Sequence, residues 1–154
     1  MKELSLNILD IAENSVKAKA SLIEILLTET DNELTLVIRD DGCGMTKEVL
    51  AGVTDPFYTT RTTRKVGLGL PFLKMAAELT GGGMTVDSVS VLDDKINHGT
   101  TVKAVFNTDH IDFTPLGDIV ATIITLIQGH PISIFFSFIK SAEKKLSSIH
   151  ASFG

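Results

Sequence analysis

The chain has 154 residues, a net charge of −5, and 44% hydrophobic against 21% charged residues. That is the balance of an ordinary globular protein with one sizeable core, and the acid excess leaves no basic footprint for nucleic acid or an anionic membrane surface. Cys43 is the only cysteine, which excludes an internal disulfide or a cysteine-based metal cluster and fits a reducing, cytoplasmic setting.

Apolar Leu4, Ile8, Ile11, Ala12, Val16 and Ala20 recur at helical spacing, so a helix is expected over 4–20. Polar Asn7, Asp10 and Glu13 break the run that a signal peptide would need. Asn7, Asp10, Asn14 and Lys17 fall three or four apart and form a second stripe. A solvated face explains many such stripes, but this one holds amides, an acid and a lysine. An Asn oxygen suits Mg²⁺ of the kind shared with substrate phosphates. An Asp one turn earlier can orient or deprotonate a water. A Lys one turn later can meet phosphate charge.

Residues 21–30 and 33–40 read as paired strands, with Asp31-Asn32 as the hairpin turn. The second strand ends on Asp40, followed by Asp41-Gly42-Cys43-Gly44-Met45. Such a turn lets the backbone approach a ligand closely, and its carboxylate can accept from a flat amine such as adenine. A tight surface turn is the alternative. A short helix is expected over 47–51 with Thr46 as N-cap. The stretch 55–70 holds no period and places Arg61, Arg64 and Lys65 before Gly67 and Gly69. It reads as a surface loop or as a lid over a polyphosphate. A helix follows through Leu70, Phe72, Leu73, Ala76, Ala77 and Leu79, with Pro71 in its first turn and Gly81-Gly82-Gly83 stopping it. A glycine turn opening a helix suits an anion. Strands are expected over 84–91 and 100–107; β-propensity alone would account for Thr100. The order implies a mixed sheet with helices on one face.

Together and in order, these motifs resemble the ATP-binding site of the GHKL superfamily: gyrase, heat-shock chaperone ATPases, histidine kinases and MutL. The resemblance implies the Bergerat fold, an α/β sandwich. Leu9 to Ala18 is similar to the N box, which implies that Asn14 holds Mg²⁺, that Asp10 is the catalytic carboxylate and that Lys17 faces phosphate. Asp40, Gly42 and Gly44, with Met45 beside them, resemble the first glycine box, which makes Asp40 the acceptor for the adenine amine. Asp55 to Arg61 is similar to the F box and lid of nitrogen-sensor-type histidine kinases, so Phe57, Thr60, Arg61 and, beyond them, Lys65 are implied to close over the nucleotide. Gly67, Leu68, Gly69 and Leu70 resemble the next glycine box. Gly99-Thr100-Thr101 resembles the last, with Thr100 near adenine. The likeness covers 4–106 and is nearest to the histidine-kinase catalytic domain.

Two departures shape the expectation. The chain begins at the N box, and His98, His110, His130 and His150 all fall late, so it is not expected to be a self-sufficient histidine kinase. Asp10 is shorter than the Glu of gyrase-type enzymes, so hydrolysis by this chain alone is expected to be slow. Residues 1–108 would form the ATP-binding domain and 109–154 an extension. In the latter, 116–128 reads as a helix apolar on more than one face, buried in the fold or forming a homodimer surface. Thr114-Pro115 would open that helix. Its polar interruptions argue against a membrane span. Residues 132–139 could be a strand, and 141–150 a weak amphipathic helix or a partly disordered end. The expected function is a stand-alone Mg-ATP-binding module, either a slow ATPase or a kinase of a separate protein. The alternative is a nucleotide-gated interaction module, akin to anti-sigma factors, that binds ATP or ADP with little turnover.

Overall fold

The computed structural model describes residues 4–53, 69–110, 119–128, 132–140 and 145–152. Among the described residues, four helices, α1 (Leu4–Lys17), α2 (Lys47–Gly52), α3 (Gly69–Leu79) and α4 (Ile119–Ile127), accompany six strands. These are β1 (Leu22–Glu29), β2 (Glu33–Asp40), β3 (Gly83–Val89), β4 (Gly99–Asn107), β5 (Ser133–Lys140) and β6 (Lys145–Ser152). They form one mixed sheet in the order β3-β4-β2-β1-β5-β6. Among these strands, only β1 and β5 pair parallel.

Period-two alternation decides which face is buried. Ile23, Ile25 and Leu27 of β1, Leu34, Leu36 and Ile38 of β2, and Val102, Ala104 and Phe106 of β4 all point into the core. Ile134 and Phe136 extend that face onto β5. The helical layer lies over it. Ile8, Ile11 and Ala12 of α1 and Leu73 and Ala77 of α3 supply its buried stripe. α1 packs between α3 and α4, and α3 also rests on β3 and β4.

Local chemistry sets the ends. The amide of Thr30 donates to the Glu33 carbonyl at 2.9 Å, closing the Asp31-Asn32 hairpin. The Thr46 hydroxyl accepts from the Val49 amide and caps α2. Gly82 N–H reaches the Ala77 carbonyl and Gly81 N–H that of Glu78, a double closure of α3. α4 lies on α1 of its own chain and buries Ile123, while Ile124 remains half exposed. The expected opening of that helix at Thr114-Pro115 falls outside the described residues.

One expectation is corrected. Residues 145–152 form β6, antiparallel to β5 over an eight-residue register, not a helix or a frayed end. The helical pattern there is weak, whereas β5 offers a full row of backbone groups to pair.

Two stability measurements follow from this packing. Leu36 is fully buried in the sheet centre, so Leu36→Ala should lower the unfolding free energy by about 2–5 kcal/mol in urea titrations. Asp41 pins the start of β1, accepting from the Ser21 amide, the Ser21 hydroxyl and the Leu22 amide at 2.6–3.0 Å. Partial burial pushes its carboxyl up, but those hydrogen bonds outweigh it and hold the pKa below 3.8. A lowered folded-state pKa stabilises above the unfolded value and is lost as pH falls through the folded one. Asp41→Asn should therefore lower the melting temperature at pH 7, with the gap to the parent closing below about pH 4.

Candidate functional site

The end of α1, the end of β2, the start of β4 and the turn after Asp40 enclose a cavity of about 340 Å³. Its volume lies within the range of small-molecule sites. Ile11, Ile38, Val49, Val53, Leu70 and Val102 supply apolar walls. Asn14, Lys17, Asp40, Met45 and Thr100 are among the other residues lining it. A largely apolar slot with a few placed polar groups is suited to a heterocycle.

The polar groups are held in a row. Asp40, Thr100 and Ser88 stand directly opposite one another across β2, β4 and β3. Ser15, only 3% exposed on α1, donates its hydroxyl to Asp40 Oδ2 at 2.6 Å. The Gly42 amide donates to Asp40 Oδ1 at 2.9 Å. Each carboxylate oxygen keeps a further lone pair, so Asp40 remains an acceptor toward the cavity. Ser88 Oγ accepts from the Met45 amide at 2.8 Å and lies 2.8 Å from Thr100 Oγ1.

Backbone bonds fix the turn. Cys43 N–H donates to the Ala18 carbonyl at the end of α1, and the Cys43 carbonyl accepts from Val91. His98 Nδ1 bonds the Gly42 carbonyl. Two glycines permit this closeness. Gly44 has φ +73°, and a Cβ there would lie 1.9 Å from the Val89 carbonyl oxygen; at Gly99, φ +142°, it would lie 2.1 Å from that of Asp40. Both conformation and space exclude a side chain.

The structure thus brings Asn14, Lys17, Asp40, Gly44, Met45, Leu70 and Thr100 onto one cavity, with Gly42 bonded beside it. Asp10 does not line the cavity; it lies against Gly69 at the start of α3, where an added Cβ would meet the Asp10 Cβ at 2.9 Å. Phe57, Thr60, Arg61, Lys65, Gly67 and Leu68 fall outside the described residues. Asn14 Nδ2 is buried with no hydrogen-bond partner among the described residues, which suits a wall completed by a polar ligand. Among those residues, no group of three or more His, Cys, Asp or Glu could hold a metal. A cation entering on phosphates would take one amide oxygen from the protein, that of Asn14. Ser15 and Ser88 were not singled out in the sequence. Ser15 had one signal, its place beside Asn14; Ser88 had none before the strand register was known.

No helix among the described residues is long and apolar enough to cross a membrane. A solved structure titled as the N-terminal domain of a DNA repair protein superposes with a TM-score of 0.63 at 16% identity, covering 99% of this chain and 54% of that one. That likeness concerns the fold. The sensor histidine kinase YvrG of Bacillus subtilis is 30% identical over 60% of this chain and 16% of its own length. The heme sensor protein HssS of Staphylococcus saprophyticus is 31% identical over 63% of this chain and 20% of its own length. The matched region is thus a fifth or less of either relative. The family model for histidine kinase-, DNA gyrase B- and HSP90-like ATPases matches residues 2–110. Slot, glycine turn and matched span agree, and the chain belongs to that ATPase family, as an ATP-binding module of the histidine-kinase type.

Proposed function

We propose that the chain binds Mg-ATP in this cavity and passes the terminal phosphoryl group to a separate protein, and slowly to water. The adenine would lie in the apolar slot with its amine on Asp40 and its edge near Thr100. The phosphates would run toward Asn14 and Lys17, and the family resemblance implies that Phe57, Thr60, Arg61, Lys65, Gly67 and Leu68 also serve the nucleotide.

The observation that carries this reading is the Ser15–Asp40 hydrogen bond at 2.6 Å. It ties the helix bearing the metal-type amide to the strand end bearing the base-reading carboxylate, and both open onto one cavity. Phosphoryl transfer needs mainly positioning and charge neutralisation. Asn14 would hold Mg²⁺, which when bound supplies neutralising charge to the phosphates. Lys17 adds a second cation at the same wall. Asp10, against the start of α3, would orient the attacking protein side chain or water. The relative named as a sensor histidine kinase favours transfer to a protein over free hydrolysis.

Two experiments test the reading. Asp40→Asn keeps an acceptor for Gly42 and a donor for Ser15, so the fold should persist, yet it can turn an amide donor toward the adenine amine. ATP affinity by calorimetry should fall at least about tenfold, the scale of one charge-assisted hydrogen bond; unchanged affinity removes Asp40 from the site. In the second, γ-labelled ATP and Mg²⁺ are added with and without cell extract. Label should appear on another protein, and Asp10→Asn should slow that transfer while leaving ATP affinity within about twofold. Tight binding with no transfer and no free phosphate would point to a gated module without turnover.

A further inference from the structure

Ser88 sits at the far end of the polar row, on β3, and is half-buried. Its hydroxyl has three neighbours: the Met45 amide at 2.8 Å, Thr100 Oγ1 at 2.8 Å and the Gly99 carbonyl at 3.1 Å. A serine hydroxyl has one proton and two lone pairs. The Met45 N–H can only donate, so it takes one lone pair. The Gly99 carbonyl can only accept, so it takes the Ser88 proton. The remaining lone pair then receives the proton of Thr100. That arrangement makes three hydrogen bonds. If Ser88 instead donated to Thr100, the bond to Gly99 would be lost and only two would remain, a difference of one bond.

The consequence lies on the cavity side. With its only proton committed to Ser88, Thr100 presents lone pairs alone to the slot. Asp40, directly opposite on β2, is likewise an acceptor. The amino edge of adenine carries a donor amine, whereas guanine carries a carbonyl acceptor at the same place. Two fixed acceptors suit the first and repel the second.

We propose that Ser88 is a positioning residue that sets the purine preference of the site, by fixing the Thr100 hydroxyl as an acceptor. The proposal rests on the nucleotide reading above and adds to it a residue that touches no nucleotide. Ser88→Ala would release the Thr100 proton, which could then turn into the slot and donate to a guanine carbonyl. ATP would lose a matched acceptor while GTP gained a donor.

The test compares ATP and GTP dissociation constants for the parent, Ser88→Ala and Ser88→Thr. The GTP-to-ATP ratio should fall about tenfold in Ser88→Ala, the scale of one hydrogen bond, and return toward the parent value in Ser88→Thr. A role as a mere prop for the turn predicts equal weakening of both nucleotides, and an unchanged ratio overturns the assignment to Ser88 while leaving the cavity reading intact. Should Ser88→Ala fail to fold, Ser88→Cys is close in size and a weak acceptor; its ratio should fall in the same direction, and an unchanged ratio there is equally fatal. A parent protein that binds neither nucleotide overturns the nucleotide reading and this proposal with it.

Discussion

The hydrogen bond from Ser15 to Asp40 spans two layers that meet largely through apolar side chains. One partner stands on α1 and the other at the end of β2, 25 residues on. Apolar packing is non-directional and tolerates sliding; a short bond to a carboxylate is directional and strong. It therefore fixes the rotation of α1 over the sheet at the point where Asn14 and Lys17 must share a wall with Asp40. Polar groups at the end of a core need partners, and here they find them in series. Ser15 and Gly42 hold Asp40, while Met45, Gly99 and Thr100 surround Ser88. The row satisfies itself on the protein side and keeps acceptor capacity on the cavity side.

Much of this was legible in the residues because it is written in short-range terms. Helical spacing marks α1 and α3, alternation marks β1, β2 and β4, and glycines mark the turn after Asp40. What was not legible depends on register. Nothing near Ser88 distinguishes it from any strand serine; its meaning comes from Thr100 beside it and from Met45, 43 residues away. Ser15 reads locally as a small core residue on a helix. β6 misled for the opposite reason. Its local pattern carries little information, and the free edge of β5 decided its conformation.

The place of the later strands in the sheet separates two roles. Going outward from β2, the order runs β1, β5, β6, whereas the cavity lies on the side of β4 and β3. β5 lines no part of it. What β5 does is cover β1, whose outer backbone groups would otherwise form an unpaired edge. Its parallel register, Ile25 opposite Phe136, also carries the buried face one strand further beneath the helices. Residues beyond the matched span thus support the sheet that holds the site, at a distance from the chemistry.

The cavity itself lies on a seam. Asn14 and Asp40 come from the unit formed by α1 and the β1–β2 hairpin. Leu70, Thr100 and Val102 come from the unit formed by α3 and the β3–β4 hairpin. The two units meet through the β2–β4 ladder and the α1–α3 contact. Neither can form the slot alone, so a ligand in it engages both. A ligand that binds only the folded state adds about 2.7 kcal/mol at a hundredfold excess over its dissociation constant. At a peripheral loop, local opening could release the ligand while the rest of the fold stayed closed. On this seam, release by separating the units would break the β2–β4 ladder, so occupancy of the slot and integrity of the whole fold are coupled.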